Sequence, residues 1–158
     1  MIELHLLRHA DAGDPMAWSG DDADRPLSAK GRRQAARLGA LLAATRFLPD
    51  ALISSPKLRA RETADAVARA LGVDVVIDVR LGGALDLATV ERIMADAGDA
   101  RRPLLVGHDP DFSWIASELS GAPIEMKKGA LARIDAATLG EGEGALRWLL
   151  PPGLVPEL

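Results

Sequence analysis

The strongest constraint on this chain is an alternation. Short apolar runs of strand character, at 2–7, 51–54, 73–79 and 104–106, take turns with stretches whose apolar residues recur at helical spacing. A chain that alternates in this way builds a mainly parallel sheet with helices on both faces. We therefore expect an α/β protein, a three-layer α/β/α sandwich around a mainly parallel six-stranded sheet, with 130–134 and 145–150 as its last two strands. At 158 residues the chain fits one domain over 1–150, followed by a loose tail at 151–158 behind Pro151-Pro152.

In such a sheet the carboxyl ends of the strands share one edge, and ligands bind there. The first strand stops at Arg8-His9, a cation and an imidazole followed by Ala10 and Asp11. The second, Ala51 to Ser54, leads through Ser55-Pro56 into a helix that carries Arg59 in its first turn. Pro56 suits the first helical position, with Ser55 as cap. A positive charge near a helix N-terminus opposes the macrodipole, so an arginine there makes sense beside an anion. The fourth run, Leu104-Leu105-Val106, ends at Gly107-His108-Asp109-Pro110. Gly107 permits close approach at that point. Arg8, His9, Arg59 and His108 thus come from three ends of one edge.

Between them lies a polar loop, Ala12 to Pro26, placed to form a rim or lid. Ser28 caps the helix that follows, whose Lys30, Arg32, Arg33 and Arg37 mostly take wet faces. His5, inside the first strand, reads as structural. Gly82-Gly83 is a turn without the spaced third glycine of a dinucleotide fingerprint.

Composition removes several classes of function. There is no cysteine, so thiol catalysis, disulfides and thiolate metal sites are excluded. A net charge of −4 argues against nucleic acid as a bulk partner. No apolar run is long enough to span a bilayer and the first residues lack a signal pattern, so a cytoplasmic protein is expected. The three histidines lack metal-ligand spacing, and neighbouring arginines repel cations, so neither metal nor other cofactor is expected.

Two guanidinium groups and two imidazoles around one point suit a phosphate group, because guanidinium forks match its oxygens and stay charged. A histidine among arginines should be held neutral, and neutral imidazole is a competent nucleophile toward phosphorus. The expected chemistry is attack by His9, a phosphohistidine intermediate, and its hydrolysis, with His108 donating to the transferring group.

Leu7-Arg8-His9-Ala10, the segment Ser54-Ser55-Pro56-Lys57-Leu58-Arg59-Ala60-Arg61-Glu62-Thr63-Ala64 and Gly107-His108 together resemble the histidine phosphatase superfamily, with the phosphoglycerate mutase-like fold. Arg25-Pro26-Leu27-Ser28 and Lys30-Gly31 extend the likeness, which runs from Ile2 to Leu150. The resemblance implies that His9 is phosphorylated, with Arg8, Arg59 and His108 forming the phosphate pocket. Within the superfamily the chain is most similar to the short phosphohistidine phosphatase (SixA-type) branch, with Ala10 where a glycine is more widespread.

Many small-molecule members place a glutamate donor after the third strand. This chain offers only Asp86 there, and Asp11 near the nucleophile, as candidate proton donors. Esters need such an acid, whereas phosphohistidine expels an imidazole and depends on it less. The expected partner is a phosphorylated protein, by resemblance a histidine-phosphotransfer domain or a phosphocarrier, with Lys127 and Lys128 candidates for the pocket mouth. A phosphatase of small phosphate esters is the alternative, and an inactive phosphopeptide-binding module a third reading.

Overall fold

The computed structural model describes residues 1–158. Its six strands are β1 (Ile2–Arg8), β2 (Ala51–Ser54), β3 (Val76–Ile77), β4 (Pro103–Gly107), β5 (Leu131–Ala136) and β6 (Gly144–Leu150). They form one sheet in the order β3-β2-β4-β1-β5-β6. β1, β2, β3 and β4 pair in parallel, and only β5 runs against its neighbours. The expected α/β sandwich is the observed fold.

Side chains alternate across β1 and β4 with the period of two that a pleated strand imposes. Leu4, Leu6 and Leu105 face α3 (Leu87–Asp96) and α4 (Asp111–Ser120), packing with Val90, Ile93, Phe112 and Ile115. Leu7, Leu104 and Val106 face α1 (Ala29–Ala44) and α2 (Leu58–Leu71), packing with Leu38, Leu42, Ala64 and Val67. β1 and β4 are covered on both faces, which explains why their sequences read as nearly unbroken apolar runs.

Three local expectations change. The helix after β2 begins at Leu58 rather than Pro56, with Lys57 as its cap residue. The Ser55 N–H still donates to the Val106 carbonyl at 3.0 Å, so the chain holds sheet geometry one residue longer, and Ser55 Oγ accepts the Lys57 N–H ahead of the helix rather than an N–H of its first turn. The third strand shrinks from the expected 73–79 to Val76–Ile77, which is exposed at the sheet edge. Asp78 caps a 3-10 turn at Val79–Gly82 and takes those residues out of the ladder. The residues expected as a loose tail are anchored in part: after a turn at Pro152–Leu154, Val155 buries itself in the α1/α2 layer and Glu157 pairs with Arg37.

The strand order has one consequence for the site. β2, β4 and β1 lie side by side with Ser54 opposite Val106 and Arg8 opposite Gly107. Their carboxyl ends therefore emerge together, at the ladder spacing of roughly 5 Å.

Candidate active site

His9 follows β1, and its backbone is tied on both sides. Its N–H donates to Gly107 O at 2.9 Å, and its carbonyl accepts from Gly129 N–H at 2.9 Å. Its ring is buried, and Nδ1 lies 2.8 Å from Ala10 O. A carbonyl can only accept, so Nδ1 carries the proton and Nε2 keeps its lone pair. The N–H of that carbonyl's peptide, Asp11 N–H, donates to Gln34 Oε1 at 3.0 Å, and the Ala10 N–H donates to Thr63 Oγ1 at 3.1 Å, which ties the turn to α1 and α2.

The His108 ring stands 5.3 Å from that of His9, centroid to centroid. Its Nε2 is 2.7 Å from Ser55 Oγ, which already accepts the Lys57 N–H at 3.2 Å. The serine hydroxyl is then free to donate to Nε2, which places the His108 proton on Nδ1. Nδ1 is buried without a protein partner.

Burial is the main force on both imidazoles. It lowers His9 to about 4, helped by the charges of Arg59, Arg8 and Arg25 and opposed by the Ala10 hydrogen bond. His108 falls to about 3, first through burial and then through His9 and Arg59. The expected neutral histidine is therefore present, but desolvation contributes more than the arginines.

The guanidinium groups are positioned by backbone and carboxylate acceptors. Arg8 Nη1 donates to Met126 O at 2.8 Å and lies 3.4 Å from Asp109 Oδ2. Arg59 Nη1 donates to Asp22 O at 2.8 Å, and its Nη2 to Asp22 Oδ2 at 3.0 Å. The Nε atoms of Arg8 and Arg59 are buried without partners. Buried donors left unpaired are expensive, and their concentration around two neutral imidazoles describes a site built for an acceptor.

The loop at 12–26 supplies two residues that sequence reasoning missed. Asp22, in a 3-10 turn at Asp22–Asp24, provides the anion that Arg59 calls for at the start of α2. Burial works to raise the Asp22 carboxyl, and Arg59 overrides it and holds the group below the usual carboxylate range. Arg25 is buried, donating from Nη1 to Ala12 O at 2.7 Å and from Nε to Asp22 Oδ1 at 3.3 Å, and its charge reaches His9. Four aspartates crowd this loop, so nothing in the sequence singled out Asp22; Arg25 stood in the Arg25-Pro26-Leu27-Ser28 motif and could have been found there.

The structure separates the remaining candidates. Asp11 lies two residues from His9, but Ser28 Oγ donates to its Oδ2 at 2.5 Å and this bond holds the carboxyl below its usual range. Lys128 Nζ stands 3.9 Å from Asp11 Oδ1. Asp86 caps α3, accepting the Thr89 N–H at 2.7 Å, and the Thr89 side chain together with this N–H holds its carboxyl below the usual range. One carboxyl moves the other way: burial, with Asp109 nearby, raises Asp111 in the first turn of α4, three residues after His108.

Comparison with known proteins agrees with this architecture. The family model of the histidine phosphatase superfamily (branch 1) matches residues 4–84. An uncharacterized protein of Picosynechococcus sp. is 35% identical over 170 residues, covering 95% of this chain and 100% of that protein. The crystal structure of a proposed phosphohistidine phosphatase SixA from Agrobacterium tumefaciens superposes with a TM-score of 0.78 at 27% identity, covering 96% of this chain and 99% of that one. A protein histidine phosphatase SixA complexed with tungstate has the same fold, with a TM-score of 0.82 at 21% identity over 98% and 100% of the two chains. No helix of this protein is long and apolar enough to cross a membrane. The chain belongs to the histidine phosphatase superfamily, branch 1, and is a hydrolase of the phosphatase class.

Proposed function

We propose that the protein removes the phosphoryl group from phosphohistidine on a protein substrate, through a covalent phosphohistidine at position 9. The observation that carries this reading is the Nδ1 bond from His9 to Ala10 O, which aims protonation away from Nε2 and leaves a neutral nucleophile among three arginines. In the forward step Nε2 attacks phosphorus and the phosphorus–nitrogen bond of the substrate breaks. The departing imidazole takes a proton from solvent. Water then attacks phospho-His9, releasing inorganic phosphate and restoring the neutral ring. Arg8 and Arg59 offset the charge on the equatorial oxygens, with Arg25 adding to the field, and His108 donates from Nδ1.

The acids support this substrate class. Asp11 and Asp86 are both engaged in hydrogen bonds that favour the charged form, so neither is poised to protonate an alkoxide. Phosphohistidine tolerates that, because its leaving group is an imidazole. The likeness to the Agrobacterium SixA points the same way. A second reading, hydrolysis of small phosphate esters, draws on Asp111, whose raised carboxyl is the one candidate for a protonated donor.

One comparison tests both. A phosphohistidine protein and a panel of sugar and nucleotide phosphates are assayed with wild type, His9→Ala, Arg59→Ala and Asp111→Asn. The proposal expects the phosphohistidine protein to give the highest kcat/KM, acid-labile label on His9 that His9→Ala abolishes, turnover lost in Arg59→Ala, and little effect of Asp111→Asn. Higher kcat/KM for an ester, with a large loss in Asp111→Asn, would replace the first reading by the second.

A further inference from the structure

Beside the candidate site runs a polar groove of about 360 Å³, lined by Lys30, Arg33, Gln34, Arg37, Pro152 and Gly153. The four α1 residues recur at i, i+3, i+4 and i+7, one stripe of the helix, and span roughly 10 Å. The stripe starts at the nucleophile's own loop. Gln34 Oε1 accepts the Asp11 N–H at 3.0 Å, two residues from His9. Gly129, whose N–H holds the His9 carbonyl, fits between Gln34 and Pro152, both in the groove wall. At this end the charges of Lys30 and Lys128 both reach Asp11.

Lys30 and Arg33 are exposed and enter no ion pair within the chain. Arg37 meets only Glu157, itself largely exposed. This is a cationic stripe whose only ion pair is Arg37–Glu157, on a protein of net charge −4, and its Lys30 end lies beside Asp11, two residues from His9. A chain extending from a phosphorylated side chain would lie along it, three extended residues covering about 10 Å.

We infer that the Lys30–Arg33–Arg37 stripe is a docking surface for an acidic segment flanking the phosphorylated residue of a protein substrate. The inference rests on the phosphohistidine-protein reading and adds to it the charge of the partner. Attraction of this kind acts on capture, so it belongs in kcat/KM and fades with salt.

The test uses three phosphohistidine peptides made with phosphoramidate, identical except for glutamate, glutamine or lysine flanks, and p-nitrophenyl phosphate as a flankless control. Wild type should turn over the glutamate peptide with about ten-fold higher kcat/KM than the glutamine peptide at low salt, the gain expected of two or three exposed ion pairs. The Lys30→Glu/Arg33→Glu variant should lose that preference and favour the lysine peptide, with kcat/KM for the glutamine peptide and for p-nitrophenyl phosphate unchanged. Equal rates on glutamate and glutamine peptides in wild type, or a preference that survives the double variant, would overturn the docking surface while leaving the phosphohistidine reading intact. An equal loss on p-nitrophenyl phosphate would show that these charges act on the phosphoryl pocket and would also overturn it. If no peptide turns over while p-nitrophenyl phosphate does, the phosphohistidine reading fails and the docking surface falls with it.

Discussion

Replacing Gly31 with alanine should damage stability and turnover together. A Cβ at this position would lie 1.9 Å from Asp11 O, 2.8 Å from Asp11 C and 3.0 Å from Asp11 N. Reaching ordinary van der Waals contact with that oxygen requires an opening of about 1.5 Å. Neither side gives easily. Asp11 O accepts the Ser28 N–H at 2.9 Å, and Ser28 Oγ in turn accepts the Gly31 N–H at 3.0 Å, so helix and loop are stitched together where the methyl would go. If α1 lifts, Leu38 and Leu42 lose packing; if the loop retreats, Ala10 O moves and takes the His9 ring with it. Overpacking of this kind costs about 1–3 kcal/mol, which for a chain of this size lowers Tm by about 2–12 °C. A displacement near 1 Å at the nucleophile costs on the order of 10²-fold in rate. Thermal melts and initial rates at 25 °C on a phosphohistidine peptide measure both. Gly83→Ala is the control, because a Cβ there would meet nothing within 4 Å and its backbone is extended. A Gly31→Ala protein that melts within about 1 °C of wild type and turns over normally would refute the reasoning.

Asp22→Asn should tighten inhibition by orthovanadate about five-fold, since an exposed carboxylate competing for Arg59 is worth roughly 1 kcal/mol; weaker inhibition would mean that Asp22 serves the pocket by holding Arg59 in place. Acid should weaken the fold before most carboxylates titrate. His5 and His9 bind protons near pH 4 and His108 near 3 in the folded chain, against 6.5 ordinarily. Between those values the unfolded chain takes up protons that the folded chain refuses, so stability is full above about pH 6.5 and falls toward pH 4, by at most about 1.4 kcal/mol per pH unit per histidine. Urea midpoints at pH 7 and pH 5 report this directly, and equal midpoints would contradict the burial of neutral imidazoles.

Much of this site was legible in the sequence because its parts stand at strand ends. An apolar run that stops at Arg8-His9, or at Gly107-His108, announces both a strand and its edge, and the sheet order then brings the ends together. Arg59 was legible for a related reason, as a cation at a helix start where the dipole disfavours one. The failures share a cause as well. Helix propensity and proline at 56 could not reveal that Ser55 stays hydrogen-bonded to Val106. The β-branched run at 73–79 could not reveal that Asp78 would turn the chain. Asp22 was invisible because its importance comes from a tertiary contact with Arg59, 37 positions away, and no local pattern marks which loop carboxylate will make it.

β1 has neighbours on both sides, pairing with 104–107 in β4 and 131–136 in β5. During synthesis the ribosome releases this strand first and its two partners much later. Arg8 and His9 must therefore wait, unpaired, while residues 10–103 emerge, and Gly129, which holds the His9 carbonyl, comes later still. A nascent chain arrested before β4 carries the nucleophile but not the strand, histidine and glycine that hold it, and competence is switched on only as 103–136 closes over β1.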